Sequence, residues 1–302
     1  MEQFYANAAR LKKVYSVLVA KNGALIAEHY FNEKSVDHYA LQQSVSKSYA
    51  TAFLGLMIDR ELVSSLDLKM VDLFPELAGE ITDPRKQAIT LEHMITMRAG
   101  YPWEESDPDI WQMLTVEYGY QNPDPLMEHI PLQDDPGTAF CYSNLMANLV
   151  THVACRAIEG DLLEYVYDQI LEPLGADSLV GYQDPDGHYY NMLHARARDM
   201  AKLGLLYLNG GEYQGQRILS KDWVQASLSS YSSNTLKDLG LNHVGEFRDW
   251  GYGYMWWAAT AGDHNMVVVV TTDLFYLEHS GRSWRHEKAA IKTVAAFIAA
   301  LP

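Results

Sequence analysis

The chain has 302 residues, is 48% hydrophobic and carries a formal net charge of −16. This length can bury a substantial core, and the composition excludes disordered, collagen-like and coiled-coil proteins. The negative charge repels phosphates at long range, so neither a nucleic acid nor an anionic membrane surface is expected as a partner.

The N-terminal stretch and the cysteines bear on the compartment of the protein. Residues 1–14 contain no long apolar segment of the kind that marks a signal peptide. No other stretch approaches the ~20 apolar residues of a membrane span. Cys141 and Cys155 are expected to be buried thiols. The sequence as it stands therefore predicts a cytoplasmic protein, or a periplasmic or secreted one if a leader has been removed.

The elements begin, in chain order, with a hairpin. Two β-rich runs within residues 14–31 flank Asn22-Gly23, a dipeptide typical of a two-residue hairpin turn. A helix is predicted next, from Ser44, with apolar residues at helical spacing up to Ile58.

The middle of the chain is predicted to be mainly helical, and the C-terminal part returns to strands. Helical stretches are expected at 90–98, 145–160, 162–176 and 197–211, strands at 250–261 and 266–273, and a terminal helix at 288–301. The connecting segments are rich in Asp, Pro and Gly. Their acidic clusters at 104–109 and 184–186 are expected in solvated loops.

This order of elements predicts an α+β fold with two lobes. Strands and helices at both ends enclose a helical middle, which indicates a sheet formed by the two termini with an inserted all-helical lobe. The predicted division places residues 1–60 and 210–302 in an α/β lobe and residues 61–209 in the helical lobe.

Ser44 and Lys47 form the first candidate pair for chemistry. Side chains at i and i+3 share a helix face, and a hydroxyl at a helix N-terminus lies where a developing anion is favoured. A serine nucleophile needs a base within hydrogen-bonding reach. A lysine can serve when burial disfavours its charged form. The alternative is a helix-capping serine followed by a solvated lysine.

Tyr142 and Asn144 form the second candidate pair, on a loop that enters the helix predicted from residue 145. A tyrosine phenol can relay a proton between nucleophile, lysine and leaving group. An amide two residues further on can hold a substrate carbonyl or the lysine. The alternative is a helix cap by Ser143 or Asn144 beside a core tyrosine.

Taken together and in this order, SVSK (44–47) and YSN (142–144) resemble the motifs of the serine β-lactamase/penicillin-binding-protein superfamily. The similarity is to its class C β-lactamase-like branch, which includes carboxylesterases and D-alanyl-D-alanine carboxypeptidases. It extends from about residue 11 to the end, and its supporting phrases are LDLKMVDLFPEL (66–77), ITLEHMITMRAGY (89–101), PGTAFCYSN (136–144), ARDMAKLGLLYLNGG (197–211) and GYGYMWW (251–257).

The resemblance implies a role for each matched residue. Ser44 corresponds to the acylated nucleophile, Lys47 to its base partner, Tyr142 to the proton relay and Asn144 to a substrate-orienting amide. The implied fold is a mainly antiparallel sheet flanked by helices plus a helical lobe, with the active site between them. No metal or cofactor is expected, and the histidines show no metal-ligand spacing. No G-x-S-x-G occurs, so an α/β-hydrolase nucleophile elbow is not the source of any esterase activity.

The third motif of the superfamily, Lys-Thr-Gly or a His-x-Gly or Gly-Gly variant, is not evident. Its strand should lie between residues 257 and 266, but residues 258–265 are too few for a strand and two turns at ~3.3 Å per residue. His279-Ser280-Gly281 has suitable residues but follows the last strand. His279 and Gly281 are therefore candidate substrate-binding residues, with an ordinary loop before the terminal helix as the alternative.

The sequence thus predicts a serine hydrolase that acts through an acyl-enzyme on small carboxylic esters or amides. A β-lactamase or a D-alanyl-D-alanine carboxypeptidase is the near alternative. The expected partner is a small-molecule ester, amide or β-lactam substrate. The alternative of another class is a catalytically impaired ligand-binding homologue, because the strand of the third motif is missing from the sequence pattern.

Overall fold

The structure is a computed structural model that describes residues 1–11, 13–76, 78–104, 107–117, 119, 122, 129–190, 192–232, 248–260, 264–273 and 283–301. In these ranges the helices are α1 (Glu2–Ala9), α2 (Val45–Asp59), α3 (Met70–Leu73), α4 (Leu91–Ile95), α5 (Pro108–Gln112), α6 (Asn144–Arg156), α7 (Leu162–Val166), α8 (Ala197–Leu208), α9 (Lys221–Leu228) and α10 (Ser283–Ala299). The strands are β1 (Val14–Lys21), β2 (Ala24–Tyr30), β3 (Tyr39–Leu41), β4 (His194–Arg196), β5 (Glu212–Tyr213), β6 (Gln216–Arg217), β7 (Arg248–Tyr252), β8 (Trp257–Thr260) and β9 (Met266–Thr272).

A three-stranded antiparallel sheet joins the two ends of the chain. Its order is β2-β1-β9, so β1 pairs with the strand next to it in sequence and with one near the C-terminus. Opposite β1, Val17 faces Val270 in register. The predicted α+β fold class is confirmed, whereas the predicted lobe boundaries stay a prediction.

The predicted N-terminal hairpin is confirmed, and its turn explains its sequence. Asn22 and Gly23 have φ of 51° and 79°. Two successive residues with positive φ define a type I′ turn, which Asn-Gly adopts at little steric cost. The hairpin therefore begins the sheet at β1.

The predicted strand at 250–261 is two antiparallel strands, β7 and β8, that pair with each other. A tight connection after β7 reverses the chain, and Met255 within it has φ of 55°. Gly253 allows this connection to pass close to α9, because a Cβ at this position would lie 2.0 Å from the carbonyl oxygen of Ser227. The run of aromatic residues concealed this turn in the sequence pattern.

Helix α2 lies in the core and is buried on all sides from Ser46 to Met57. Its polar side chains bind the backbone of neighbouring segments. Ser48 donates to the carbonyl of Met255 over 3.1 Å, and the Ser46 hydroxyl accepts from the amide of Leu193 over 3.0 Å. These bonds satisfy groups that burial would otherwise leave unpaired, and they fix the N-terminal end of α2 against two loops.

Helix α6 packs against α2 in the same core cluster, and its residues from Leu145 to Ala154 are buried. The packing brings the first turn of α6 beside the first turn of α2. No helix in the described ranges is long and apolar enough to cross a membrane.

Several elements have no counterpart in the sequence prediction. Helix α1 packs on the terminal helix α10, where the rings of Phe4 and Phe297 stack at 4.3 Å. The short strands β3 and β4 pair with each other, and β3 ends just before α2 begins. Elements this short depend on tertiary pairing, because too few residues are present for a periodic pattern.

Candidate active site

Ser44 lies at the N-cap position of α2, and its side chain makes no capping hydrogen bond to the described backbone. The residue is exposed. Gln43 precedes it with φ of 48°, an unusual conformation for a residue other than glycine or asparagine. This left-handed residue turns the chain from β3 into α2 and leaves the hydroxyl accessible rather than engaged as a cap.

Lys47 turns inward from the first turn of α2 and is only 5% exposed. Its Nζ lies 3.3 Å from Ser44 Oγ and 2.7 Å from Asn144 Oδ1. The same nitrogen lies 4.9 Å above the ring of Tyr142. Lys47 is therefore not the solvated lysine of the alternative interpretation.

Tyr142 approaches the same hydroxyl from the other side. Its phenol donates to Ser44 Oγ over 2.8 Å, and its ring is buried against those of Trp257 and Tyr252. Burial, with Tyr142 nearby, raises the pKa of Tyr252 well above its ordinary value. Tyr252 is thus a neutral neighbour, and Ser44 Oγ has two potential proton carriers within reach.

The first turn of α6 holds Asn144 in place. Ser143 is the cap of this helix, since its hydroxyl accepts from the amide of Met146 over 3.1 Å. The helix cap that the alternative interpretation assigned to Ser143 or Asn144 is therefore present, and Ser143 is the residue that forms it. The Asn144 side chain instead accepts from Lys47.

Glu104 is a site residue that the sequence did not indicate. Its Oε1 accepts from the amides of Asn144 and Leu145, and the residue is only 3% exposed. The expectation that the acidic cluster at 104–109 is solvated is wrong for Glu104, because a carboxylate is favoured at the positive end of α6. Only the tertiary fold brings this carboxylate to α6, so no spacing signal could have revealed it.

The remaining two predicted site residues belong to the candidate third motif. His279 and Gly281 lie outside the described residues. Strands β8 and β9 belong to separate sheets, and in the described part of the chain no strand separates them in sequence. The two candidate residues for the third motif therefore remain predictions.

Comparison with known proteins identifies the class. A family model described as Beta-lactamase matches residues 11–292, so the chain belongs to the Beta-lactamase family. The resemblance inferred from SVSK and YSN is thereby confirmed at the level of the family.

Among curated proteins, 6-aminohexanoate-dimer hydrolase of Paenarthrobacter ureafaciens is 24% identical over 250 residues. The match covers 80% of this chain and 63% of that relative, so the chain spans less than two thirds of the relative's length.

Solved structures show the same fold at low identity. A mutant of simvastatin synthase from Aspergillus terreus superimposes with a TM-score of 0.69 at 15% identity, covering 99% of this chain and 97% of the other. EstCE1, a hydrolase with promiscuous acyltransferase activity, gives a TM-score of 0.66 at 16% identity with 96% of both chains covered. The fold is that of β-lactamases and transpeptidases.

Proposed function

We propose that this Beta-lactamase-family hydrolase is a serine hydrolase that acts on small carboxylic esters through an acyl-enzyme at Ser44. The observation that carries the proposal is that Lys47 Nζ and the Tyr142 phenol both lie within hydrogen-bonding distance of one accessible Ser44 hydroxyl. Such an arrangement supplies the base that a serine nucleophile needs.

In the proposed reaction Ser44 Oγ attacks the carbonyl carbon of the ester while its proton passes to Lys47 Nζ, which acts as the base. Tyr142 exchanges protons between Lys47, Ser44 Oγ and the leaving alkoxide, which departs as the alcohol. Water then attacks the acyl carbon and gives one proton to Lys47 and Tyr142. The bond from that carbon to Ser44 Oγ breaks, this proton passes to Ser44 Oγ, and the acid leaves. Asn144 accepts from Lys47 and so holds the amine beneath the hydroxyl.

The surroundings of Tyr142 favour an apolar acyl group. Phe140 and Trp257 are half-buried, and their ring centroids lie 5.7 Å apart. Both rings pack against the buried Tyr252. Partly exposed aromatic rings beside a reactive hydroxyl can accept an apolar group from water. A small alkyl ester fits this chemistry better than a charged peptide terminus.

The test of the proposal is a substrate panel combined with active-site labelling. We expect turnover of p-nitrophenyl acetate and butyrate, slow or no turnover of nitrocefin, and one fluorophosphonate adduct whose mass maps to the peptide that carries Ser44. An amide such as the dimer of 6-aminohexanoate tests the substrate named for the curated relative. Absence of both turnover and adduct would favour the ligand-binding alternative, and faster turnover of nitrocefin would favour a β-lactamase.

Glu104 is expected to position Asn144 rather than to act on the substrate. Glu104→Leu leaves two amides of α6 without their acceptor, so we expect a loss of about 2–4 kcal/mol in the free energy of unfolding. It should lower kcat more than it raises KM, because Asn144 and Lys47 lose their alignment. Glu104→Gln keeps an acceptor oxygen and should restore most of kcat. Equal damage by both variants, measured by esterase kinetics and thermal melting, would refute a positioning role.

A further inference from the structure

A second group of chemically active side chains lies away from Ser44. Ligand atoms of His152, Asp184 and His188 all fall within 4.8 Å of one another. His152 belongs to α6, eight residues beyond Asn144, which is about 12 Å along the helix axis. The group is therefore separate from the proposed acyl-enzyme site.

The loop that carries Asp184 and His188 is held in shape by its own hydrogen bonds. One carboxylate oxygen of Asp184 accepts from the amides of Asp186 and His188, each over 2.9 Å. The other oxygen lies 3.4 Å from His188 Nδ1. One oxygen thus maintains the turn while the second lies beside the imidazole.

His152 contributes a second imidazole, from α6. It is only 5% exposed, and its ring lies beside that of His188 with 4.6 Å between centroids. Burial is the main cause, and the neighbouring His188 the second, of a lowering of the pKa of His152 to about 4. His152 thus places a buried imidazole nitrogen within 4.8 Å of the ligand atoms of Asp184 and His188.

We propose that His152, Asp184 and His188 bind one divalent transition-metal cation of the zinc type. Two imidazoles and one carboxylate are a ligand set typical of Zn²⁺, whereas Ca²⁺ and Mg²⁺ prefer oxygen ligands alone. Bonds of about 2.1 Å in a tetrahedron place ligand atoms about 3.4 Å apart. Asp184 and His188 are partly exposed, so small rotations of these side chains bring the atoms to that separation, and water supplies the fourth ligand.

The bound cation would fasten two segments that border the site at Ser44. Gln183 and Tyr189 pair to form a hairpin whose turn carries Asp184 and His188. This hairpin leads to β4, where His194 pairs with Val180 and with Leu41 in β3. Helix α6 carries Asn144 at its other end. A metal that joins α6 to this hairpin therefore stabilises the frame of the site without contacting the substrate.

The sequence could not indicate this site from spacing. Zinc-binding motifs are recognised in a sequence by ligands at short, characteristic intervals. Here one ligand, His152, lies in α6, and the other two, Asp184 and His188, lie on a hairpin more than 30 residues later. The expectation that residues 184–186 form a plain solvated loop likewise overlooked the partly buried Asp184 carboxylate.

The test is zinc binding to protein previously dialysed against EDTA. Calorimetric titration with ZnCl₂ should give one equivalent bound with a Kd in the micromolar range or below, and saturating zinc should raise Tm by about 5 °C. Substitution with Co²⁺ should give visible absorption bands of a low-symmetry site. MgCl₂ and CaCl₂ should give neither effect.

Variants connect the binding to these residues. Asp184→Asn keeps an oxygen that can accept from the loop amides. Asp184→Asn and His188→Asn are separate single variants, and each leaves the buried His152 unchanged, so both should fold. Each should weaken zinc binding at least tenfold and abolish the rise in Tm. His29→Ala, which removes a histidine of β2 that contacts Tyr5 and Phe31, should bind zinc like the unaltered protein. Absence of stoichiometric binding, or binding unchanged in Asp184→Asn and His188→Asn, overturns the proposal.

Discussion

Ser44→Ala is expected to lower kcat/KM for p-nitrophenyl butyrate by about 10⁴-fold or more and to abolish the fluorophosphonate adduct. Removal of a serine nucleophile leaves only the catalysis that binding and polar contacts provide. Stability should change little, because the Ser44 hydroxyl does not cap α2. The measurements are initial rates corrected for spontaneous hydrolysis, intact-protein mass after labelling, and Tm.

The matched control is Ser48→Ala, one turn further along α2. The Ser48 hydroxyl donates to the carbonyl of Met255 and is buried, so its loss should cost about 1 kcal/mol in the free energy of unfolding. It should change kcat/KM less than tenfold. Turnover that survives Ser44→Ala, or a loss of activity equal in the two variants, contradicts the assignment of Ser44 as nucleophile.

Local sequence patterns were sufficient to predict α2 and α6, whose first turns carry the candidate site, and the hairpin that begins the sheet. Asn22-Gly23 specifies its turn by backbone conformation alone, and α2 and α6 are long enough for their apolar spacing to be read. The resemblance carried by SVSK and YSN predicted that Ser44, Lys47, Tyr142 and Asn144 belong to one site. The structure brings their side chains together near the N-terminal ends of α2 and α6.

Contacts that depend on the tertiary fold were not predictable. Glu104 accepts from the amides of α6 only because the tertiary fold brings it to the start of that helix. His152 meets His188 only because a distant hairpin packs on α6. The connection between β7 and β8 was missed for a local reason, since its aromatic residues continue the β-rich pattern through a turn that glycines permit. Such features carry function but leave no periodic signature.

Lys47→Met is expected to have the second largest effect, a fall in kcat/KM of about 10²–10⁴-fold, because it removes the proposed proton acceptor and retains most of the side-chain volume. The rate of fluorophosphonate labelling should fall in parallel, which locates the defect in the attack by Ser44. A matched control is Lys86→Met. Lys86 is also buried, at 3% exposed, and its Nζ lies over the ring of Tyr101 instead of beside Ser44.

A double-mutant cycle between Lys47→Met and Tyr142→Phe separates a shared proton path from two independent contributions. Both groups contact the same Ser44 oxygen, and Lys47 Nζ also lies over the Tyr142 ring. If the proton passes through both, the double variant should be scarcely slower than the worse single variant, since groups that act as a unit are strongly non-additive. Losses that multiply would show that the phenol and the amine act separately.

The control Lys86→Met bears on the assignment of Lys47 as the base. If Lys86→Met were as damaging as Lys47→Met, activity would respond to loss of a buried lysine in general, and the base assignment would fail.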